Sequence, residues 1–208
     1  PSLSKLITVP LTHAFRDALP QAQLTLTEGF SVLMYEGLRA GRLDMTVLYN
    51  PPPSPDLETE LLHEEALVLI SAGEKASGRA AKVLGETVSL KELANLPLII
   101  PSRPNAFRLL LDAEMARLGY KANIVLEIDG LNAILDLVKE GLGYAVLPKY
   151  TLSNFVKPHP MVTHKIEKPT LMSALTLVWS AKRPTTETHK VALDMVKRVV
   201  KRAIGEFG

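Results

Sequence analysis

Ile124-Val-Leu-Glu-Ile-Asp-Gly-Leu-Asn-Ala-Ile-Leu-Asp-Leu-Val-Lys-Glu-Gly-Leu-Gly-Tyr-Ala-Val-Leu-Pro-Lys-Tyr150 is the stretch whose reading decides the fold. It opens on an apolar, β-rich run (Ile124, Val125, Leu126, Ile128), turns at Asp129-Gly130, then repeats Leu131, Ile134, Leu135 and Val138 at helical spacing. Gly141 stands where a helix needs a left-handed C-terminal residue, and Tyr144-Ala-Val-Leu147 reads as a short buried strand closed by Pro148. Strand, helix and strand make a βαβ unit, which implies a parallel sheet. Ligands of such sheets bind beyond the carboxyl ends of the strands, where helix N-termini offer free N–H groups. Asp129-Gly130-Leu131-Asn132 is therefore the first place to look for a ligand.

Outward from that unit the same α/β alternation recurs. Residues 3–19 carry an apolar stripe through Leu3, Leu6, Ile7, Leu11, Ala14, Phe15, Ala18 and Leu19, an amphipathic helix with Ser2 and Ser4 as cap candidates. Pro10 should bend that helix and Pro20 ends it. Residues 23–27 alternate like a strand, 28–31 turn, 32–40 form a helix stopped by Gly41, and 43–49 read as a second strand. Pro51-Pro-Pro-Ser-Pro55 is a stiff surface loop, 58–71 merge into a long strand, and 72–87 read as an irregular excursion. Ser89-Leu-Lys-Glu92 has capping-box spacing, 97–100 is a buried strand, and a helix through Phe107, Leu110, Leu111, Met115 and Leu118 closes at Gly119. After the βαβ unit come strands near 162–166 and 174–179, and a last helix over 185–204 presenting Ala192, Met195, Val196, Val199, Ala203 and Ile204.

Composition narrows the function classes. With 24 basic and 22 acidic residues in 208 the net charge is +2, too balanced for a nucleic-acid surface spread over the chain. The absence of cysteine excludes disulfides and thiol chemistry. No apolar run approaches the ~20 residues of a membrane span, so no membrane role is expected. The five histidines show no ligand spacing and read as surface or capping residues, and no metal or cofactor is called for. Ser31 lacks the second glycine of a nucleophile elbow, Gly141-Leu-Gly143 follows its helix rather than preceding it, and Glu28 and Asp44 are isolated acids. Nothing points to an enzyme. What remains is a set of strand ends with small polar residues at helix starts: Ser2/Ser4, Phe30-Ser31, Pro101-Ser102 and Asp129-Gly130. Such a set is what a ligand cleft with a backbone-lined anion site requires.

The ordered runs Pro1-Ser-Leu-Ser4, Phe15-Arg-Asp-Ala-Leu-Pro20, Leu24-Thr-Leu-Thr-Glu-Gly29, Leu38-Arg-Ala-Gly-Arg-Leu-Asp44, Val88-Ser-Leu-Lys-Glu-Leu93, Leu96-Pro-Leu-Ile-Ile100 and Val138-Lys-Glu-Gly-Leu-Gly-Tyr-Ala-Val-Leu-Pro148 span nearly the whole chain. Together they resemble the effector-binding domain of LysR-type transcriptional regulators. The resemblance implies an α/β fold of two Rossmann-like subdomains joined by two crossing strands, of the type II periplasmic-binding-protein kind. A small-molecule inducer would be held between them. Carried onto this sequence, one subdomain is 1–70 plus 181–208 and the other 71–180, with crossings at 66–71 and 174–180.

Matched position by position, the effector contacts implied are Ser2, Phe30, Ser31, Pro101, Ser102, Asp129, Gly130 and Leu131. Phe30 departs from the small polar residue usual in its turn and favours a flat ligand over a sugar-like one. If the effector is an organic anion, Arg103 and the free helix N–H groups are its candidate partners, with Lys5 a weaker one. The resemblance further implies a cytoplasmic protein that forms homodimers or homotetramers, here with helix 3–19 as a contact surface. DNA would be bound only through an N-terminal helix-turn-helix domain that this chain does not carry. The start at Pro1 suggests a fragment or processed form. The strand that leads into Pro1-Ser2 in the family is missing, which would leave one row of the sheet without a neighbour. An extracytoplasmic solute-binding protein of a transport system is the rival reading, and the residues before Pro1 would separate the two.

Overall fold

The computed structural model describes residues 3–73, 84–154, 161–184 and 186–205. In chain order the elements are α1 (Ser4–Ala18), α2 (Ser31–Arg39), β1 (Met45–Tyr49), β2 (Leu57–Ala72), β3 (Thr87–Ser89), α3 (Leu90–Leu93), β4 (Leu98–Ile100) and α4 (Ala106–Arg117). There follow β5 (Ile124–Glu127), α5 (Leu131–Lys139), β6 (Ala145–Pro148), a tight helical turn over Lys149–Asn154, β7 (Met161–Glu167), β8 (Met172–Ser180) and α6 (Glu187–Gly205). The chain forms two compact units, Pro1–Glu64 with Ala174–Gly208 and Glu65–Ser173, and passes from one to the other within β2 and again within β8.

In the first unit, α1 keeps Pro10 in its interior and buries Leu11 and Phe15 against Met195 of α6. The Thr8 and Thr12 hydroxyls donate to the carbonyls of Ser4 and Thr8, each at 2.7 Å, one turn back along the helix. The cap position falls on Leu3 with no side-chain cap, so Ser4 opens the helix instead of capping it; the other cap candidate, Ser2, lies outside the described residues. On α6 the buried face is Leu193, Met195, Val200, Ala203 and Ile204, while Val196 and Val199 are only half-buried. The most buried face is rotated from the one the spacing suggests, while Met195, Val196 and Val199 pack with α1.

β1 pairs antiparallel with β8, from Met45 opposite Trp179 to Tyr49 opposite Leu175. Residues 23–27 are not a strand. Alternation alone makes no ladder, and among the described residues no neighbour hydrogen-bonds this segment. A groove of about 620 Å³ opens here, lined by Leu24, Thr25, Met45, Val47, Phe15 and Met195 among others.

In the second unit the sheet is mixed rather than purely parallel. β6 and β7 both run antiparallel to β2, with Ile70 opposite Ala145 and Leu69 opposite His164. β3 runs parallel to β7, and β4 parallel to β5 with a bulge between Leu98 and Ile99. The βαβ unit read from 124–148 is present, but its strands β5 and β6 are not neighbours. β4 lies between them, bridged in parallel to Tyr144 at Leu98. Gly141 takes the left-handed conformation at φ 74° and ends α5 as its position predicts.

Strand residues alternate between two covered faces. Leu67, Leu69, Leu98, Ile100, Tyr144 and Val146 pack with Val88, Leu90, Leu93, Leu111 and Met115. Their neighbours Val68, Ile70, Ile99, Ala145 and Leu147 pack on the other side with Ile134, Leu135 and Val138 of α5. Burial on both faces explains why these strands read as continuous apolar runs rather than alternating ones. β5 is the exception: Val125 and Leu126 stay 52% and 40% exposed, because its outer edge has no partner among the described residues.

Candidate functional site

The parallel pairing of β4 with β5, and the parallel bridge from β4 into β6, put the carboxyl ends of all three strands at one end of the second unit's sheet. Pro101-Ser102-Arg103 leaves β4 there, Asp129-Gly130-Leu131 follows β5, and Lys149 follows β6. Six of the residues singled out from sequence are therefore brought together. The link is direct: Ser102 N–H donates to Asp129 Oδ1 at 2.9 Å. Gly130 caps α5 in extended conformation, at φ −156°, with no side-chain cap hydrogen bond, and Leu131 opens the helix half-buried.

Arg103 is not a waiting cation. Its Nε and Nη2 donate to Asp112 Oδ2 at 2.8 and 2.6 Å, although its side chain is 62% exposed. The same carboxylate oxygen takes Arg108 Nε at 2.8 Å, while Arg108 Nη1 reaches Glu127 Oε1 at 2.7 Å and the Pro101 carbonyl at 3.3 Å. Arg108 is only 5% exposed. Burial works against its charge, yet the hydrogen bonds to Glu127 and Asp112 outweigh that and hold its pKa above the usual arginine value. Two cations and two carboxylates thus balance one another beside the loop. An incoming anion finds neither the Arg103 charge nor the Ser102 amide unspent, contrary to the expectation from sequence.

In the first unit, Phe30 occupies the cap position of α2 with no side-chain cap, and Ser31 opens the helix rather than capping it. The Ser31 hydroxyl accepts the N–H of Tyr49 at 3.2 Å, tying the start of α2 to the carboxyl end of β1. Ser4 donates to Glu28 Oε2 at 2.6 Å, joining the start of α1 to the turn before α2. Glu28 is therefore a tie between turns, and Asp44 likewise pairs with Arg183 at 2.7 Å.

Sequence reasoning missed Arg108, Asp112 and Glu127, although Arg108 and Asp112 stand at i,i+4 on one helix face. Asn105 was overlooked as the cap of α4; its side chain accepts the N–H groups of Phe107 and Arg108. His164 is a correction: it is buried, with Nε2 2.8 Å from Ser71 Oγ and Nδ1 2.6 Å from the Gly85 carbonyl. Among the described residues no group of histidine and carboxylate side chains could hold a metal ion, and no helix is long and apolar enough to cross a membrane.

Comparison with known proteins adds the context. A family model described as LysR substrate binding domain matches residues 1–201. The nitrogen assimilation regulatory protein nac of Escherichia coli is 24% identical over 200 residues, which cover 96% of this chain and 63% of that protein. The HTH-type transcriptional regulator BbuR of Bordetella bronchiseptica is 27% identical over 91% of this chain and 56% of its own length. The chain thus spans less than two-thirds of these relatives. Among solved structures, the Synechocystis CcmR regulatory domain in complex with 2-PG superposes with a TM-score of 0.81 at 17% identity, covering 96% of this chain and 94% of that one. The effector-binding domain of a BenM variant gives 0.77 at 19%, covering 94% and 89%.

Proposed function

Since the chain belongs to the LysR substrate-binding-domain family, and has its α/β, type II periplasmic-binding-protein-like fold, we propose that it is the ligand-sensing domain of a transcriptional regulator. The observation that carries this reading is the match of one family model to residues 1–201. It responds to a small-molecule effector and passes that response to DNA-binding domains lying outside this sequence. The relatives are named as regulators, so the transport reading has no support among them, and nothing favours catalysis.

Effector contacts are assigned to Phe30 and Ser31 in the first unit and to Pro101, Ser102, Arg103, Asp129, Gly130 and Leu131 in the second, with Ser2 carried over from the resemblance alone. The convergence of three strand ends, and helices α2 and α5 that start without side-chain caps, support that assignment. An organic anion remains the effector class to test first, with the uncapped amides rather than Arg103 as its main partners. The protein acts in the cytoplasm as a homodimer or homotetramer. Exposed Val9 on α1 makes that helix the contact surface to examine by light scattering on a Val9→Asp variant.

The deciding experiment is a thermal-shift screen of small organic acids, starting with 2-PG, on the parent chain and on Ser102→Ala and Gly130→Val. The parent should be stabilised by a hit and both variants should lose that shift. A hit that stabilises all three equally removes the site.

A further inference from the structure

The second unit's site loops are held by one side chain that is almost wholly buried, and we propose that Arg108 is the positioning residue of the effector site; this rests on the reading above. Arg108 sits on the first turn of α4 and is 5% exposed. Its guanidinium is spread over three elements. Nη1 holds the Pro101 carbonyl at the exit of β4 and Glu127 at the end of β5, and Nε holds Asp112 one turn further along α4. Asp112 in turn holds Arg103.

Both arms end on the same hydrogen bond. One fixes residues 101–103, which present the Ser102 N–H; the other fixes Glu127, two residues before Asp129, whose carboxylate accepts that N–H at 2.9 Å. The relative height of the two loops is therefore set from behind, by a fork that reaches a carbonyl and two carboxylates at once. Lysine cannot do this: its single ammonium has no planar fork to spread across partners on three elements. Asp112 and Glu127 keep the buried charge compensated, so the arrangement is rigid rather than strained.

The test needs no ligand. Amide exchange of Ser102 is measured in the parent chain and in Arg108→Lys, with Leu69 and Ile70 amides in the core of β2 as reporters of global opening. Ser102 exchange should accelerate about tenfold, the factor that one local hydrogen bond is worth, while the β2 amides keep their parent rates. Glu127→Gln, which leaves Arg108 itself in place, should accelerate Ser102 in the same direction and guards against a lysine variant that fails to fold. Unchanged Ser102 exchange in a folded variant, or acceleration shared equally by Ser102 and β2, overturns the proposal. Because exchange reports the loop and the ligand screen reports the effector, failure of one is separable from failure of the other.

Discussion

The carboxylate of Asp129 accepts the backbone N–H of Ser102 at 2.9 Å, joining two turns that lie 27 positions apart in sequence. Asp129 is exposed, so the bond contributes little to global stability; its effect is to fix one loop against the other. Asp129→Ala should cost less than about 1 kcal/mol in urea denaturation yet leave Ser102 N–H open to rapid exchange. Asp129→Asn keeps an acceptor oxygen and should keep most of the protection. Equal exchange rates in Ala, Asn and parent chains would show that the contact does not order the loop.

Gly143 is held in place by sterics. A Cβ there would stand 2.8 Å from the Pro97 carbonyl oxygen and 2.8 Å from Ile99 Cγ1, inside the parallel bridge where Tyr144 N–H donates to Pro97 at 2.9 Å. The Pro97 carbonyl cannot retreat without breaking that bridge. Gly143→Ala should therefore destabilise the protein by about 2–4 kcal/mol. At Gly130 the added Cβ would meet only Ala133 Cβ at 3.6 Å, in backbone any residue adopts. Gly130→Ala should stay within about 0.5 kcal/mol of the parent, and the pair of urea midpoints checks both.

How far the fold was legible follows from which forces leave local marks. The turn chemistry at Gly141, the capping box at Ser89 and Glu92, and the apolar period of α5 are local, and each formed as read. The 23–27 segment shows the limit: its alternation is right for a strand, but a ladder is a property of two segments. The sheet of the second unit was read as parallel because β5–α5–β6 looks parallel on its own; the insertion of β4 and the antiparallel run of β2 against β6 are long-range pairings with no mark in 124–150. At the proposed site, the places of Ser102, Asp129 and Gly130 after strands were legible. Arg108 was hidden because a buried arginine looks in sequence like any helical cation, and only the loops it ties together reveal it.

His164 shows what burial does to a polar ring. A carbonyl can only accept, so the 2.6 Å contact to Gly85 places a proton on Nδ1, while Nε2 lies 2.8 Å from the Ser71 hydroxyl. The histidine thereby pins the end of β2 to the turn before β3. His164→Leu leaves the Gly85 carbonyl without this donor, while the Ser71 hydroxyl keeps the Ala72 carbonyl at 3.2 Å. The expected cost is about 2 kcal/mol, against about 1 kcal/mol for Ser71→Ala, read from thermal midpoints. A leucine variant as stable as the parent would mean that the pin contributes nothing net.

On α6, Lys197 Nζ lies 2.6 Å from Glu60 Oε2 on β2, 3.5 Å from Asp194 Oδ1, and 6.0 Å above the Trp179 ring. The hydrogen bond to Glu60 is the largest influence; burial opposes it, and the charges of Glu60 and Asp194 add to it, so the lysine pKa is raised on folding. A group with a raised folded pKa stabilises the fold while it is protonated in both states. Its contribution is complete below the unfolded lysine value of ~10.4 and disappears as pH climbs through the higher folded value. Lys197→Met keeps an apolar side chain of similar reach over Trp179 and removes only the charge. Parent and variant should differ by about 1 kcal/mol in urea denaturation at pH 8, the size of a partly exposed ion pair, and converge as pH climbs above the ordinary lysine range. A gap that widens with alkaline pH would reverse the sign of the linkage, and one that stays constant would place the stabilisation in packing against Trp179 instead of in the Glu60 contact.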